Sequence, residues 1–445
     1  MKNSLLLFFL FLLSSIKLHA YDFEDYGMYY NVVSSSDKTC GLAHVENGIV
    51  NMNDGKIIIP QVVAFNNENY TVVEIQSSAF SNLITLTSVE IPSTIKSIGN
   101  LAFSGCSSIT SFTIPSTINK IGDYAFQSCL RLESIVIENS NDNLSLGLKV
   151  FKSTPVKSAY IGRSFTAKND PYGYAESVIF SDYKSLVSLE FGNNVTSIPK
   201  YAFYGCQFTD LTLPDNLTVI PACAFESCWS LQNLVLPKNL QIINEAAFRG
   251  CGKLSNIEFP SSLSYIGWDG FMDYNGTSID LSNTSVYFIG SGAFRACENL
   301  SDVILPESLT TIEPTAFQSA KISSIRFPAS VNSIGSIAFN LCENLTSVYC
   351  ESVTPPDSEE STFDSETYQN ASLYVPYGSK NIYSRTGAWK YFKTIQEVDY
   401  TGIEDVLLDD SSSFIYFDIN GRRVQSPNDK PMLKKTNNKN VFIVL

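Results

Sequence analysis

Ten cysteines and two histidines are the side chains of this 445-residue sequence best suited to chemistry, and their spacing points away from it. His19 lies in the N-terminal stretch, so His44 is the one base left for Ser-His or Cys-His catalysis, and no recognisable partner accompanies it. It reads as a structural or solvated side chain. No cysteine pair has the C-x-x-C spacing of a zinc site, and no G-x-S-x-G, H-E-x-x-H, Walker or EF-hand string occurs. Asp273-Tyr274-Asn275-Gly276 opens like a calcium loop but lacks the later ligands, so it reads as a turn. No cofactor is expected, and the chain reads as a non-enzyme. Cys106, Cys129, Cys206, Cys228, Cys251, Cys297 and Cys342 instead recur at one place, three residues after a phenylalanine. A thiol repeated there behaves as a small buried hydrophobe, and Tyr274 and Ala320 substitute for it elsewhere. Cys40, Cys223 and Cys350 lie off this ladder, and their pairing stays open.

The phenylalanines that set the ladder are a clock. Phe80, Phe103, Phe126, Phe151, Phe180, Phe203, Phe225, Phe248, Phe271, Phe294, Phe317, Phe339 and Phe363 stand mostly 22 or 23 residues apart. The steps stretch to 25 and 29 around Phe151 and Phe180 and to 24 at the end. Such a period predicts a solenoid of about 13 coils of ~23 residues, each unable to bury its apolar face alone. Within residues 248–271, Leu254, Ile257 and Phe259 place the last two on one face of a short strand, and Pro260 ends it. Leu263 and Ile266 point inward on the return side. Stacking such coils predicts one continuous parallel sheet, with Ile91, Ile114, Leu213, Leu236, Phe259, Leu305 and Phe327 in one buried row.

The string Ile-Pro-x-x-(Leu/Val)-x-x-Ile-Gly-x-x-Ala-Phe-x-x-Cys-x-x-Leu-x-x-(Ile/Val) resembles the BspA-type leucine-rich repeat family of secreted bacterial and protozoan surface proteins. It covers about residues 70–375. The resemblance implies a curved parallel-sheet solenoid and a role in surface attachment, with host or microbial surface proteins as partners.

Four regions follow. Residues 1–20 carry Lys2, the apolar run Leu5–Leu13 and a small residue at Ala20, the pattern of a secretory signal peptide too short to span a membrane. No later segment reaches the length of a span. Removing Lys2 and Lys17 takes the formal charge from −14 to −16, which makes nucleic acid and anionic membranes poor partners. Residues 21–72 read as a β-rich N-terminal cap, and 73–399 as the solenoid with a closing coil covered by Tyr383, Trp389, Phe392 and Ile395. Residues 400–445 hold a linker at Asp409–Ser413 and a small β segment. Phe414–Val424 resembles the start of the sorting domain of Bacteroidetes type IX secretion, although Leu445 ends the chain without the lysine-rich end usual there. That resemblance implies the secretion machinery as a partner; the alternative is a β-hairpin with no sorting role.

The outward strand column is the candidate ligand surface. It reads Glu90, Thr113, Val136, Tyr160, Glu190, Thr212, Val235, Glu258, Asp280, Ile304, Arg326 and Tyr349, beside a second column of small polar residues. Mixed charged, aliphatic and aromatic side chains on a rigid sheet suit protein recognition. Tyr172 and Tyr174, in the inserted stretch Asp170–Tyr174, read as a projecting loop that adds to it. The expectation is a secreted or cell-surface adhesion protein with a macromolecular, chiefly protein, ligand. A glycan ligand stacked on Tyr160, Tyr172, Tyr174 and Tyr349, or a structural surface component, is the alternative.

Overall fold

A computed structural model describes residues 21–52, 54–168, 180 and 184–400. It also describes the backbone of the short strands Ile415–Phe417, Arg423–Val424, Met432–Lys435 and Val441–Val444. Residues 1–20, the Asp170–Tyr174 stretch with Tyr172 and Tyr174, and most of 401–445 lie outside the described residues. The chain divides into two compact units, Met1–Pro260 and Ser261–Leu445. Each is a leucine-rich-repeat solenoid, a stack of coils with parallel strands on two sides.

The corner at each repeat phenylalanine shows how the stack is held. Phe103 N–H donates to the Ala125 carbonyl of the next coil at 2.7 Å. Leu101 and Gly105, two residues to either side, donate to Asp123 and Gln127 at 2.9 and 2.8 Å. The same triple rung recurs at Tyr201, Phe203 and Gly205 in the first unit and at Asp269, Phe271 and Asp273 in the second. Aiming three alternate N–H groups one way forces both flanks into left-handed backbone. φ is 56° at Leu101, 57° at Tyr124 and 51° at Ile337, before the phenylalanine, and 57° at Ser128 and 59° at Leu341, after it. A left-handed non-glycine residue costs about 1–2 kcal/mol, so the rungs and the buried ring must offset it. The rings do stack: Phe80 on Phe103 at 4.8 Å and 9°, Phe203 on Phe225 at 5.5 Å and 8°, Phe294 on Phe317 at 5.4 Å and 14°.

The ladder cysteines close the same corner. All ten cysteines are free thiols, Cys40, Cys223 and Cys350 included. Cys106 Sγ donates to the Phe80 carbonyl at 3.0 Å, Cys129 to Phe103 at 3.1 Å, and Cys342 to Phe317 at 3.3 Å. Each thiol thus gives a second donor to a carbonyl already bonded within its own coil, as Leu83 N–H is to Phe80. Where the coil has Thr154 instead, its hydroxyl donates to the Phe126 carbonyl at 2.7 Å. In the coils with cysteine or Thr154 the position thus supplies a buried donor as well as filling volume, which a reading of the thiol as a hydrophobe misses, while Tyr274 and Ala320 fill it without that bond.

Short strands form on the return side, such as Ser97–Ile98, Lys120–Ile121 and Leu144–Leu146, paired parallel in that order. Their Ile-Gly step is a close approach: a Cβ on Gly122 would lie 2.4 Å from Asn100 Oδ1 and 2.5 Å from its backbone nitrogen. On the other side the parallel pairing is carried by several short ladders rather than one long one. Ser111–Ile114, Ser134–Ile137, Ser158–Arg163 and Ser188–Asn194 make one, and the register shifts between Ile161 and Arg163, where Arg163 turns fully inward. Its guanidinium donates to the Pro115 and Ser116 carbonyls at 2.9 Å each, two coils back. Ile114, Leu213, Leu236, Leu305 and Phe327 are buried as expected, but Ile91 and Phe259 are only half-buried. Ile91 follows a strand paired to the three-residue Lys56–Ile58, and Phe259 follows a strand reduced to the single bridge of Asn256 with Asn233.

At the start, Phe23–Asp25, Met28–Ser34 and Thr39–Val45 pair antiparallel, and the last of these runs parallel to Glu68–Ile75. Glu68–Ile75 in turn pairs parallel with Ser97–Ile98, so these N-terminal strands continue the return sheet. In the second unit Trp389 and Phe392 meet Phe363 edge-on at 5.9 and 5.3 Å, and Trp389 Nε1 donates to the Pro356 carbonyl at 2.8 Å. The four C-terminal strands pair antiparallel, with Ile415–Phe417 between Arg423–Val424 and Met432–Lys435. Among the described residues no helix is long and apolar enough to cross a membrane.

Replacing Phe225 by Ala should cost about 3–5 kcal/mol in a urea titration, because its ring is packed between Phe203 and Phe248. A loss under about 1 kcal/mol would contradict the corner as the main packing element. Burial pushes the thiols of Cys129, Cys251, Cys297 and Cys342 from an ordinary 9.0 up to about 12. Their contribution to stability should be complete below pH 9.0 and be lost as pH rises through about 12. At pH 8 the native ladder thiols should resist iodoacetamide and react only in denaturant; mass spectrometry showing them labelled or disulfide-linked in folded protein would contradict this.

Candidate functional site

The outward column divides between the two units. In the first, Thr113, Val136, Tyr160 and Glu190 stand side by side in register across four parallel strands. Tyr160 is half-buried, its hydroxyl donating to Asn139 Oδ1 at 3.0 Å, while Glu190 is exposed. Glu258 is also exposed, beside the weak bridge at Asn256.

In the second unit Asp280 pairs with Ile304. Asp280 Oδ1 accepts from the Ser282 N–H and hydroxyl at 2.9 and 2.6 Å, so this carboxylate is partly committed to its own turn. The richer arrangement follows. Arg326, Tyr349, Tyr374 and Gln396 lie in one register row across the strands Ser324–Phe327, Ser347–Cys350, Ser372–Pro376 and Thr394–Val398. Tyr349 and Tyr374 stack at 4.5 Å and 11°. Burial, then the neighbouring Tyr374, holds the Tyr349 phenol above its usual range. Arg326 pairs with Glu351, whose side chain is only 12% exposed, and its guanidinium sits 5.8 Å from the Tyr400 ring centre. Tyr400 is itself fixed by its hydroxyl, which donates to the Tyr374 carbonyl at 3.1 Å. Arg326, Tyr349 and Tyr374 are thus each held by a neighbour, which lowers the entropy lost when a partner orders them.

Sequence reasoning named Arg326 and Tyr349 but stopped one strand early. Tyr374 occupies the same register position in the closing coil, and Leu373-Tyr374-Val375 was the available signal. Glu351 and Tyr400 had none, because each reaches the row from outside the repeat. Among the described residues, no group of three or more His, Cys, Asp or Glu is placed to hold a metal ion.

The chain matches the family model described as "BspA type Leucine rich repeat region (6 copies)" over residues 63–172, 173–285 and 266–386. A leucine-rich repeat protein from Bacteroides ovatus is 23% identical with a TM-score of 0.50, over 85% of this chain and 100% of that one. A leucine rich cell surface protein from Faecalibacterium prausnitzii is 20% identical with a TM-score of 0.34, over 82% and 97%. The pneumococcal vaccine antigen PcpA is 17% identical with a TM-score of 0.33, over 85% and 98%. No curated protein matches the chain.

Proposed function

This chain belongs to the BspA type leucine rich repeat family, and from that premise we propose that it is a secreted or surface-displayed, non-enzymatic protein that binds another protein through its parallel sheet faces. One observation carries the reading: the row Arg326, Tyr349 and Tyr374 presents aromatic and charged groups on a rigid sheet, each immobilised before any partner arrives. Tyrosine and arginine are the residues that most often anchor protein interfaces. Tyr160, Glu190, Glu258, Asp280, Ile304, Tyr172 and Tyr174 belong to the same proposal as secondary contacts. The acids among them would speed association with a basic partner in a salt-dependent way.

The test is a binding screen of the whole protein against purified host-matrix and bacterial surface proteins, followed by titration of variants. Tyr349→Ala and Tyr374→Ala should each weaken the binding found by at least ~2 kcal/mol, and Tyr377→Ala, off the row and 82% exposed, should not. Row variants that bind like the wild type would defeat the reading. Export is part of it. Residues 1–20 act as the leader, and the C-terminal strands serve as a type IX sorting signal. N-terminal sequencing of exported protein should begin at Tyr21, and deleting 400–445 should trap it inside the cell; retention of Met1 or undiminished export would count against each in turn.

A further inference from the structure

We propose that the first unit carries a second site, chemically unlike the sheet row: a groove that takes a neutral saccharide. An open groove of about 630 Å³ lies along the return sheet where the N-terminal strands join the strands of the first coils, lined among others by Tyr21, Asn31, His44, Glu74, Gln76 and Lys120. Asn31 Nδ2 donates to Gln76 Oε1 at 2.8 Å, and Gln76 Nε2 donates to Glu74 Oε1 at 3.0 Å. Two amides and a carboxylate therefore form one hydrogen-bonded chain along the wall. Each amide nitrogen carries two hydrogens and a carboxylate two oxygens, so the chain keeps two N–H donors and an acceptor oxygen for a guest. Gly41 makes room for it: a Cβ there would lie 2.6 Å from Gln76 Nε2 and 2.8 Å from Glu74 Oε1. Alongside, the Tyr21 and His44 rings stack at 5.8 Å and 7°, giving the groove a flat apolar surface.

The lining selects a ligand class by elimination. Glu74 and Lys120 carry opposite charges, so the lining has no net preference for an anion or a cation. A wholly apolar guest would strand the amides without partners. A peptide adding as a strand needs an open sheet edge, and both edges of Thr39–Val45 are taken, by Met28–Ser34 and Glu68–Ile75. What remains is a neutral polyol whose adjacent hydroxyls each donate and accept, and whose C–H face lies against an aromatic ring. A saccharide meets all of these conditions. The groove is built from unit-one residues on the return side, so its function does not rest on the sheet-row reading.

The experiment uses the intact protein on an array of neutral and charged glycans, with the strongest neutral binder then titrated by proton NMR. His44 shares the sequence with only one other histidine, His19, so its imidazole signals are assigned with His44→Gln. Saturable movement of those signals is expected. Affinity should fall about tenfold or more in Asn31→Ala and Gln76→Ala, each losing hydrogen bonds to the ligand. Lys120→Ala, an exposed rim change, should fold normally and shift affinity by a smaller factor, while Tyr349→Ala leaves it unchanged. No neutral binder on the array, binding only of charged glycans or peptides, still His44 signals at saturation, or groove variants that bind like the wild type would each overturn the site.

Discussion

The structure depends on the hydrogen-bonded corner at each repeat phenylalanine. At corners such as Phe80 and Phe103 three alternate N–H groups donate to carbonyls of the next coil, and where the next coil has a ladder cysteine the carbonyl of the phenylalanine receives its thiol. This fixes the distance between coils, and other elements inherit it. The rings can stack near 5 Å only because the backbone beneath them advances by the same step. The Ile-Gly steps close the opposite turn at a separation that leaves no room for a Cβ. Residues equivalent in sequence then fall into rows, and a row on a sheet is what brings Arg326, Tyr349 and Tyr374 together although each comes from a different coil.

The same constraint explains why the chain's most reactive element is chemically quiet. A thiolate needs exposure or a strong nearby positive charge, and in the ladder thiols burial outweighs any such charge, even at Cys342 beside Lys321. They are buried, and each is engaged with a neutral carbonyl. Groups able to meet a partner are left to the rows and to the groove, where side chains project from a scaffold already settled. In both places the side chains hold one another: Tyr400 and Glu351 hold Arg326, and Gln76 links Asn31 to Glu74.

The period and the inward positions were legible in the sequence because they repeat with the same residue types. Phe103 and Ile114 announce their burial by recurrence alone. The left-handed corners were hidden, since Leu101, Tyr124 and Ile337 are residues that rarely take that conformation, and glycine marks only some coils. The donor role of the cysteines was hidden too, until Thr154 made the shared requirement visible. Half-buried Phe259 shows the limit of pattern reading: its position is regular, but the neighbouring strand thins to one bridge. The groove left no trace, because Asn31, Gln76 and Lys120 come from separate elements and form no motif. Register carried Tyr349 but could not supply Tyr400, which arrives from beyond the last coil.

The thiol–carbonyl rung has a bearing on how such chains change over time. Cys129 refers only to Phe103, and Cys228 only to Phe203, each a residue of the preceding coil. A coil is thus completed by whichever neighbour precedes it, provided that neighbour offers the same carbonyl in the same place. Duplication or loss of one full period in the gene leaves every remaining rung with a partner, whereas a shift of a few residues leaves rungs unmatched on both sides. Recombination between repeats can therefore lengthen or shorten the sheet faces in whole steps, with the fold acting as the filter on which crossovers survive.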